Sequence, residues 1–124
     1  MPPSPTPLVA PKVLIADDSP VARLAVGRKL AVKGVDVIEQ ASATERWGAA
    51  GLACALLDLD LGDGDGTDVA AALRAERPDL PVAFFSSLGA SENLERAKSM
   101  GPVFAKPGDL DAAIAWVVAQ AKRV

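Results

Sequence analysis

Short apolar runs alternate with longer segments of helical character from Lys12 to the end of the chain. The runs are Val13-Leu14-Ile15, Val35-Asp36-Val37-Ile38, Ala53 to Leu57, Pro81 to Phe85 and Val103 to Ala105. Their β-branched content and length read as strands. Between the first two, Ser19 offers an N-cap and Pro20 suits the first helical position. An apolar face of Val21, Leu24, Ala25 and Leu30 follows, and Gly34 stops that helix. Ala43 to Ala50 predicts a weak helix ending near Gly51. Thr67 or Asp68 is expected to cap a helix over Val69 to Arg77, which Pro78 ends. Ser91 and Glu92 are expected to open a fourth helix that stops at Gly101. Asp109 leads the last, with Leu110, Ala113, Ile114, Val117 and Val118 facing inward. Five strand–helix pairs in about 110 residues predict an α/β fold with helices on both faces of a parallel sheet. Right-handed crossovers leave few topologies. A flavodoxin-like (βα)5 doubly wound sheet with strand order 2-1-3-4-5 is the expected one.

That layout accounts for residues 12–124 as one domain. Residues 1–11 hold five of the ten prolines and read as a flexible tail. The N-terminus lacks the basic start and apolar core of a signal peptide. No charge-free apolar stretch approaches the ~18 residues of a membrane span, so no membrane association is expected, and a cytoplasmic location is. The net charge of −3 disfavours nucleic acid as a partner. A single cysteine, Cys54, excludes a disulfide framework and a Cys-rich zinc site, and it is expected in the core. Trp47 and Trp116 are expected to pack on helices. Histidine is absent. That removes a Ser-His-Asp triad, a His-metal site and any phosphohistidine within these residues.

The chemistry lies where the runs end. The first ends in Asp17-Asp18, the third in Asp58, the fourth in Ser86 and the fifth in Lys106-Pro107; the second lacks such a group. A parallel sheet brings all its strand ends to one edge, where ligands bind. Three carboxylates, a hydroxyl and an ammonium are therefore expected around one crevice. Two unit negative charges ~5 Å apart repel by about 3 kcal/mol at an effective dielectric of ~20. Such a group takes up protons or a cation. Oxygen ligands without His or Cys suit a hard ion such as magnesium. A carboxylate between magnesium and a lysine is a plausible nucleophile toward a phosphoryl group.

These segments resemble the receiver domain of two-component response regulators. The resemblance rests on Ile-Ala-Asp17-Asp18-Ser, Leu-Leu-Asp58-Leu-Asp60-Leu followed by Asp65-Gly66, Phe-Phe-Ser86-Ser and Ala-Lys106-Pro107. It runs from residue 12 to about 121, in matching order and spacing. It implies that Asp58 accepts a phosphoryl group from a histidine kinase or phosphotransfer protein. Asp18, Asp58 and the backbone carbonyl of Asp60 would bind magnesium directly, and Asp17 mainly through metal-bound water. Ser86 and Lys106 would contact the phosphoryl oxygens, and the Lys106-Pro107 peptide would be cis. Asp60 and Leu88 would border the path of the attacking water. A stand-alone signalling protein, not an enzyme, is expected, monomeric or dimerising on phosphorylation. With nothing after Val124, its output is expected to be contact with an unknown downstream protein or onward phosphotransfer. The contact face would use the fourth helix, fifth strand and fifth helix, where Glu92, Glu95, Arg96, Lys98 and Asp111 are candidates.

The departures from the family pattern are specific. Gly62 stands where the family has proline, Ser87 where it has alanine, and Val103 at the aromatic switch position. The connection from Gly101 to Lys106 is about two residues short, and the nearest ring is Phe104. Pro81 to Gly89 partly resembles a subgroup of single-domain receivers with Phe-Ala-Thr-Gly here.

Other readings fit fewer residues. An EF-hand through Asp58 to Gly66 needs acids at positions 61 and 72, which are Leu61 and Ala72. A haloacid-dehalogenase-type phosphatase explains Asp58, Asp60, Ser86 and Lys106 but leaves Asp17 and Asp18 idle. A degenerate receiver that only binds partners would leave the acidic set without a task. Of the five aspartates from Asp58 to Asp68, Asp63, Asp65 and Asp68 are expected to shape a turn and a helix start.

Overall fold

Five parallel strands form the sheet in the order β2-β1-β3-β4-β5. They are β1 (Lys12–Ala16), β2 (Asp36–Gln40), β3 (Leu52–Leu57), β4 (Val82–Ser86) and β5 (Val103–Ala105). Four helices connect them: α1 (Pro20–Val32), α2 (Gly66–Glu76), α3 (Leu94–Met100) and α4 (Leu110–Ala121). The structure is a computed structural model and describes residues 11–45, 48–87 and 93–122. Residues 1–10 of the proline-rich segment, Trp47, Leu88, Ser91 and Glu92 lie outside the described residues. The doubly wound architecture and its strand order are those read from the sequence.

Successive strand residues point to opposite faces. Val13, Ile15, Cys54, Leu56 and Phe85 pack beneath α1 and α4, with Val26, Leu30, Ala113, Ile114 and Val117. Leu14, Ala16, Leu57, Val82 and Phe84 pack beneath α2 and α3, with Val69, Leu73 and Ala97. The central strands β3 and β4 are apolar on both faces because both faces are covered, whereas the edge strand β2 exposes Asp36 and Glu39. Trp116 is partly buried against the first of these cores. No described helix is long and apolar enough to cross a membrane.

Three local expectations are corrected. The helix predicted over Ala43–Ala50 is absent from its described residues, where the chain bends and turns. Gln40, fully buried, donates its Nε2 to the carbonyls of Ser42 at 2.6 Å and Glu45 at 3.1 Å. Those carbonyls would otherwise serve a helix, and a short segment gains too little to outcompete this arrangement.

Helix α1 starts as expected, with Ser19 Oγ accepting from the Ala22 amide at 3.2 Å. It buries Val26 and Leu30, however, while Val21 and Leu24 are 77% and 52% exposed. Arg23 fixes this rotation by donating to the Asp17 carbonyl at 2.6 Å and to Glu39 Oε1 at 3.2 Å. The N-cap of α2 is Asp65, not Thr67 or Asp68; its carboxylate accepts from the Thr67 amide at 2.7 Å. α3 ends at Gly101 and α4 buries Ala113, Ile114 and Val117, both as expected.

Candidate functional site

Backbone pairing brings the strand ends together. The Asp58 amide donates to the Ala16 carbonyl at 2.7 Å, placing the end of β3 beside the end of β1. The Lys106 amide donates to the Ser86 carbonyl at 2.9 Å, placing the end of β5 beside the end of β4. Helix α2 begins tightly against the same edge. A Cβ on Gly66 would come within 2.2 Å of the Asp58 carbonyl oxygen, so only glycine fits there.

Asp58 is the hub. Its Oδ1 accepts from Ser86 Oγ at 2.7 Å and from the Asp60 amide at 3.1 Å. Its Oδ2 lies 2.8 Å from Lys106 Nζ. The same ammonium lies 2.5 Å from Asp17 Oδ2. Asp17 Oδ1 also accepts from the Ser19 amide at 2.9 Å. Asp17, Asp58 and Ser86 are buried, whereas Asp18 and Asp60 are exposed. Lys106 Nζ also stands 5.6 Å from the centre of the Phe85 ring, within range of a favourable cation–π contact.

Burial pushes the Asp17 carboxyl above its usual range, although Lys106 and the Ser19 amide pull the other way. Burial alone would lower Lys106; its hydrogen bonds to Asp17 and Asp58 outweigh that and raise it. The ammonium therefore stays charged and joins two carboxylates that would otherwise repel each other.

Asp17, Asp18, Asp58, Asp60, Ser86 and Lys106 all lie at this edge, and Leu88 falls outside the described residues. Asp17, Asp18 and Asp58 each place a carboxylate oxygen within 4.8 Å of the others. That spacing, and the all-oxygen donor set, fit a hard divalent cation. The Lys106-Pro107 peptide is cis. Val103 packs toward α2 and α3, whereas Phe104 packs toward α1 and α4. No ring therefore takes the place of the usual switch aromatic at Val103.

Sequence reasoning missed Gln40 and Arg23. The second apolar run ends at Ile38, but β2 continues to Gln40. The Gln40 carbonyl accepts from the Asp17 amide at 3.0 Å, so this strand end also supports the site. The signal was available: a polar residue just past the run, as at the other strands.

A family model described as the response regulator receiver domain matches residues 13–116. The chain belongs to that family. Solved receivers share its fold. The receiver domain of NtrX from Brucella abortus is 23% identical, with a TM-score of 0.76, over 90% of this chain and 99% of that one. A response regulator receiver protein from Sinorhizobium medicae is 22% identical, with a TM-score of 0.74, over 93% and 99%. A response regulator protein from Burkholderia pseudomallei, solved with a phosphorylated aspartic acid and a calcium ion, is 21% identical. Its TM-score is 0.68, and the match covers 89% of this chain and 68% of that one. No curated protein matches the chain. As a receiver it is a signalling phosphoacceptor module of two-component systems.

Proposed function

We propose that this receiver takes a phosphoryl group onto Asp58 from a histidine kinase or phosphotransfer protein, with magnesium bound at Asp18, Asp58 and the Asp60 carbonyl and Asp17 acting mainly through metal-bound water. The reading rests on one observation above all. Asp58 is buried, accepts from Ser86 Oγ, and faces Lys106 with Asp17 and Asp18 beside it. The phosphorylated aspartic acid in the Burkholderia pseudomallei relative supports it.

In the transfer, an Asp58 carboxylate oxygen forms a bond to phosphorus. The phosphorus–nitrogen bond of the donor histidine breaks, and its electron pair stays on the imidazole, which takes a proton. Ser86 Oγ and Lys106 Nζ turn from the carboxylate to the transferred oxygens, where negative charge builds. Bound magnesium would neutralise part of that charge. Hydrolysis later places water on phosphorus and returns the carboxylate, releasing inorganic phosphate. Asp60 borders this path, and Leu88 is proposed to do so.

The donor is another molecule or segment, since these 124 residues contain no histidine. Val21, Leu24 and Val32 are the exposed large apolar side chains among the described residues, and all lie on α1. Val21 also borders an open groove of about 410 Å3 that reaches Phe85, Lys106 and Pro107. An apolar helical donor face seated on α1 would thus bring its histidine beside Lys106. Output is proposed to be a protein contact in the cytoplasm, by a monomer or a phosphorylation-dependent dimer. On the expected contact face Arg96 pairs with Asp68 at 3.1 Å, and Lys98 with Glu95 at 3.6 Å.

The test is intact mass spectrometry after incubation with phosphoramidate or acetyl phosphate and magnesium. The native chain should gain one phosphoryl group and Asp58→Asn none. No gain with any donor would favour a degenerate binding module. Steady turnover of phosphate esters would favour a phosphatase.

A further inference from the structure

We propose that Asp63 is a positioning residue for the metal site: its carboxylate latches the loop after β3 to the connection between β2 and β3, and so holds the Asp60 carbonyl in place for the cation. The proposal rests on the receiver reading, and it adds a residue that the reading does not use.

Asp63 accepts three hydrogen bonds from a segment some twenty residues away. The donors are the Ala43 amide at 2.7 Å, Thr44 Oγ1 at 2.9 Å and the Thr44 amide at 3.3 Å. These bonds, led by the Ala43 amide, hold the carboxyl below its ordinary range, so it is ionised at neutral pH. The two segments also touch. A Cβ on Gly64 would come within 2.7 Å of the Ala43 Cβ.

The far side of the latch is anchored to the site. Gln40 ties down this connection through the Ser42 and Glu45 carbonyls, and its own carbonyl accepts from the Asp17 amide. A hydrogen-bonded path thus runs from Asp17 through Gln40 and residues 42–44 to Asp63. It closes on the loop that carries Asp58 and Asp60. The two acidic halves of the site, on β1 and after β3, are joined by this path as well as by the sheet.

The near side needs such an anchor. Gly62 has φ +81°, a conformation that suits glycine. Proline, which stands here in the resembling pattern, could adopt neither this φ nor the hydrogen bond of the Gly62 amide, so glycine gives a different turn with a freer backbone. Within the loop, the Gly62 amide donates to Asp60 Oδ1 at 3.0 Å and the Leu61 amide to the Gly64 carbonyl at 3.0 Å. These local bonds shape the turn but do not fix it to the body of the domain. Asp63 does. The bent connection between β2 and β3 matters here, because it turns the Ala43 and Thr44 amides toward the Asp63 carboxylate.

The test is calorimetric titration of the chain with magnesium chloride, beside amide hydrogen exchange without metal. Asp63→Ala should raise the magnesium dissociation constant about three- to tenfold. Exchange should quicken at Ala43, Thr44, Asp60 and Gly62. Asp63→Asn keeps one acceptor oxygen and should recover part of the affinity. Thr44→Val should weaken binding less, and adding it to Asp63→Ala should change nothing further, because both act through one latch. If Asp63→Ala does not fold, Thr44→Val and Asp63→Asn decide the matter. Unchanged magnesium affinity in folded variants overturns the proposal and leaves the receiver reading standing. A native chain that takes up no magnesium overturns both.

Discussion

Lys106 Nζ lies 2.8 Å from Asp58 Oδ2, although 48 residues of sequence separate the two. The ammonium also holds Asp17, so it sits between two buried carboxylates. Lys106→Met keeps most of the stem and removes the charge. Phosphoryl incorporation should fall by about a hundredfold or more. Stability at neutral pH should fall by about 1–3 kcal/mol, since a buried pair would lose its partner.

That loss has a defined pH dependence. Without Lys106 the Asp17 carboxyl, already raised by burial, rises further beside Asp58. A carboxyl whose folded pKa is raised holds its proton better in the native state, so stability drops as pH rises through that range. The deficit of the variant should therefore be largest near neutrality and shrink toward pH 4. Urea unfolding across that interval checks it, and a constant deficit would reject the pairing as its cause.

Ser86→Ala deletes the hydroxyl 2.7 Å from Asp58 Oδ1. In the proposed transfer that hydroxyl moves to a phosphoryl oxygen, so its loss should slow phosphorylation about 10- to 100-fold. Ser86→Thr keeps the hydroxyl and should recover most of the rate. Mass spectrometry over a time course with acetyl phosphate separates the two variants. Equal rates in Ser86→Ala and the native chain would remove Ser86 from the mechanism.

Leu24→Asp probes α1 as the donor's seat. Leu24 is 52% exposed, so the change should alter stability by less than about 0.5 kcal/mol. Phosphorylation by acetyl phosphate should be unaffected, because Leu24 is not among the site residues. Transfer from a phosphorylated kinase or phosphotransfer protein should slow about tenfold or more. Equal loss with both donors would point to damage at the site, and no loss with either would place the donor elsewhere.

The site was more legible in the sequence than the surfaces around it. Asp17, Asp18, Asp58, Ser86 and Lys106 each follow an apolar run, and a parallel sheet must bring such positions to one edge. No local propensity was needed to place them. Helical faces were harder. Small residues surround the helix α1 stripe, so periodicity alone did not separate Val26 and Leu30 from Val21 and Leu24. Its rotation depends on Arg23 reaching Asp17 and Glu39, a tertiary contact. The absent helix after β2 has the same kind of cause. Gln40 captures the Ser42 and Glu45 carbonyls, which a helix over Ala43–Ala50 would have used internally, and Asp63 holds the Ala43 and Thr44 amides in the bent connection. Gln40 acts locally, but Asp63 lies twenty residues from Ala43, and a local sequence window cannot weigh that contact.

Cys54 offers a check on the core itself. It lies on β3 among Val13, Ile15 and Leu56, and burial pushes its thiol up to about 12. Only the thiolate reacts, so the folded chain should resist a disulfide reagent at pH 8. Unfolding in urea should release one reactive thiol, and slow labelling below the transition should report opening of the core. The sign of the linkage follows. The folded thiol keeps its proton where the unfolded one, near its ordinary value of 9.0, has lost it. Stability should therefore decline as pH rises above about 9, and Cys54→Ala should lack that component while losing about 1 kcal/mol of packing. Prompt labelling of the folded native chain would mean that β3 is not buried beneath α1 and α4.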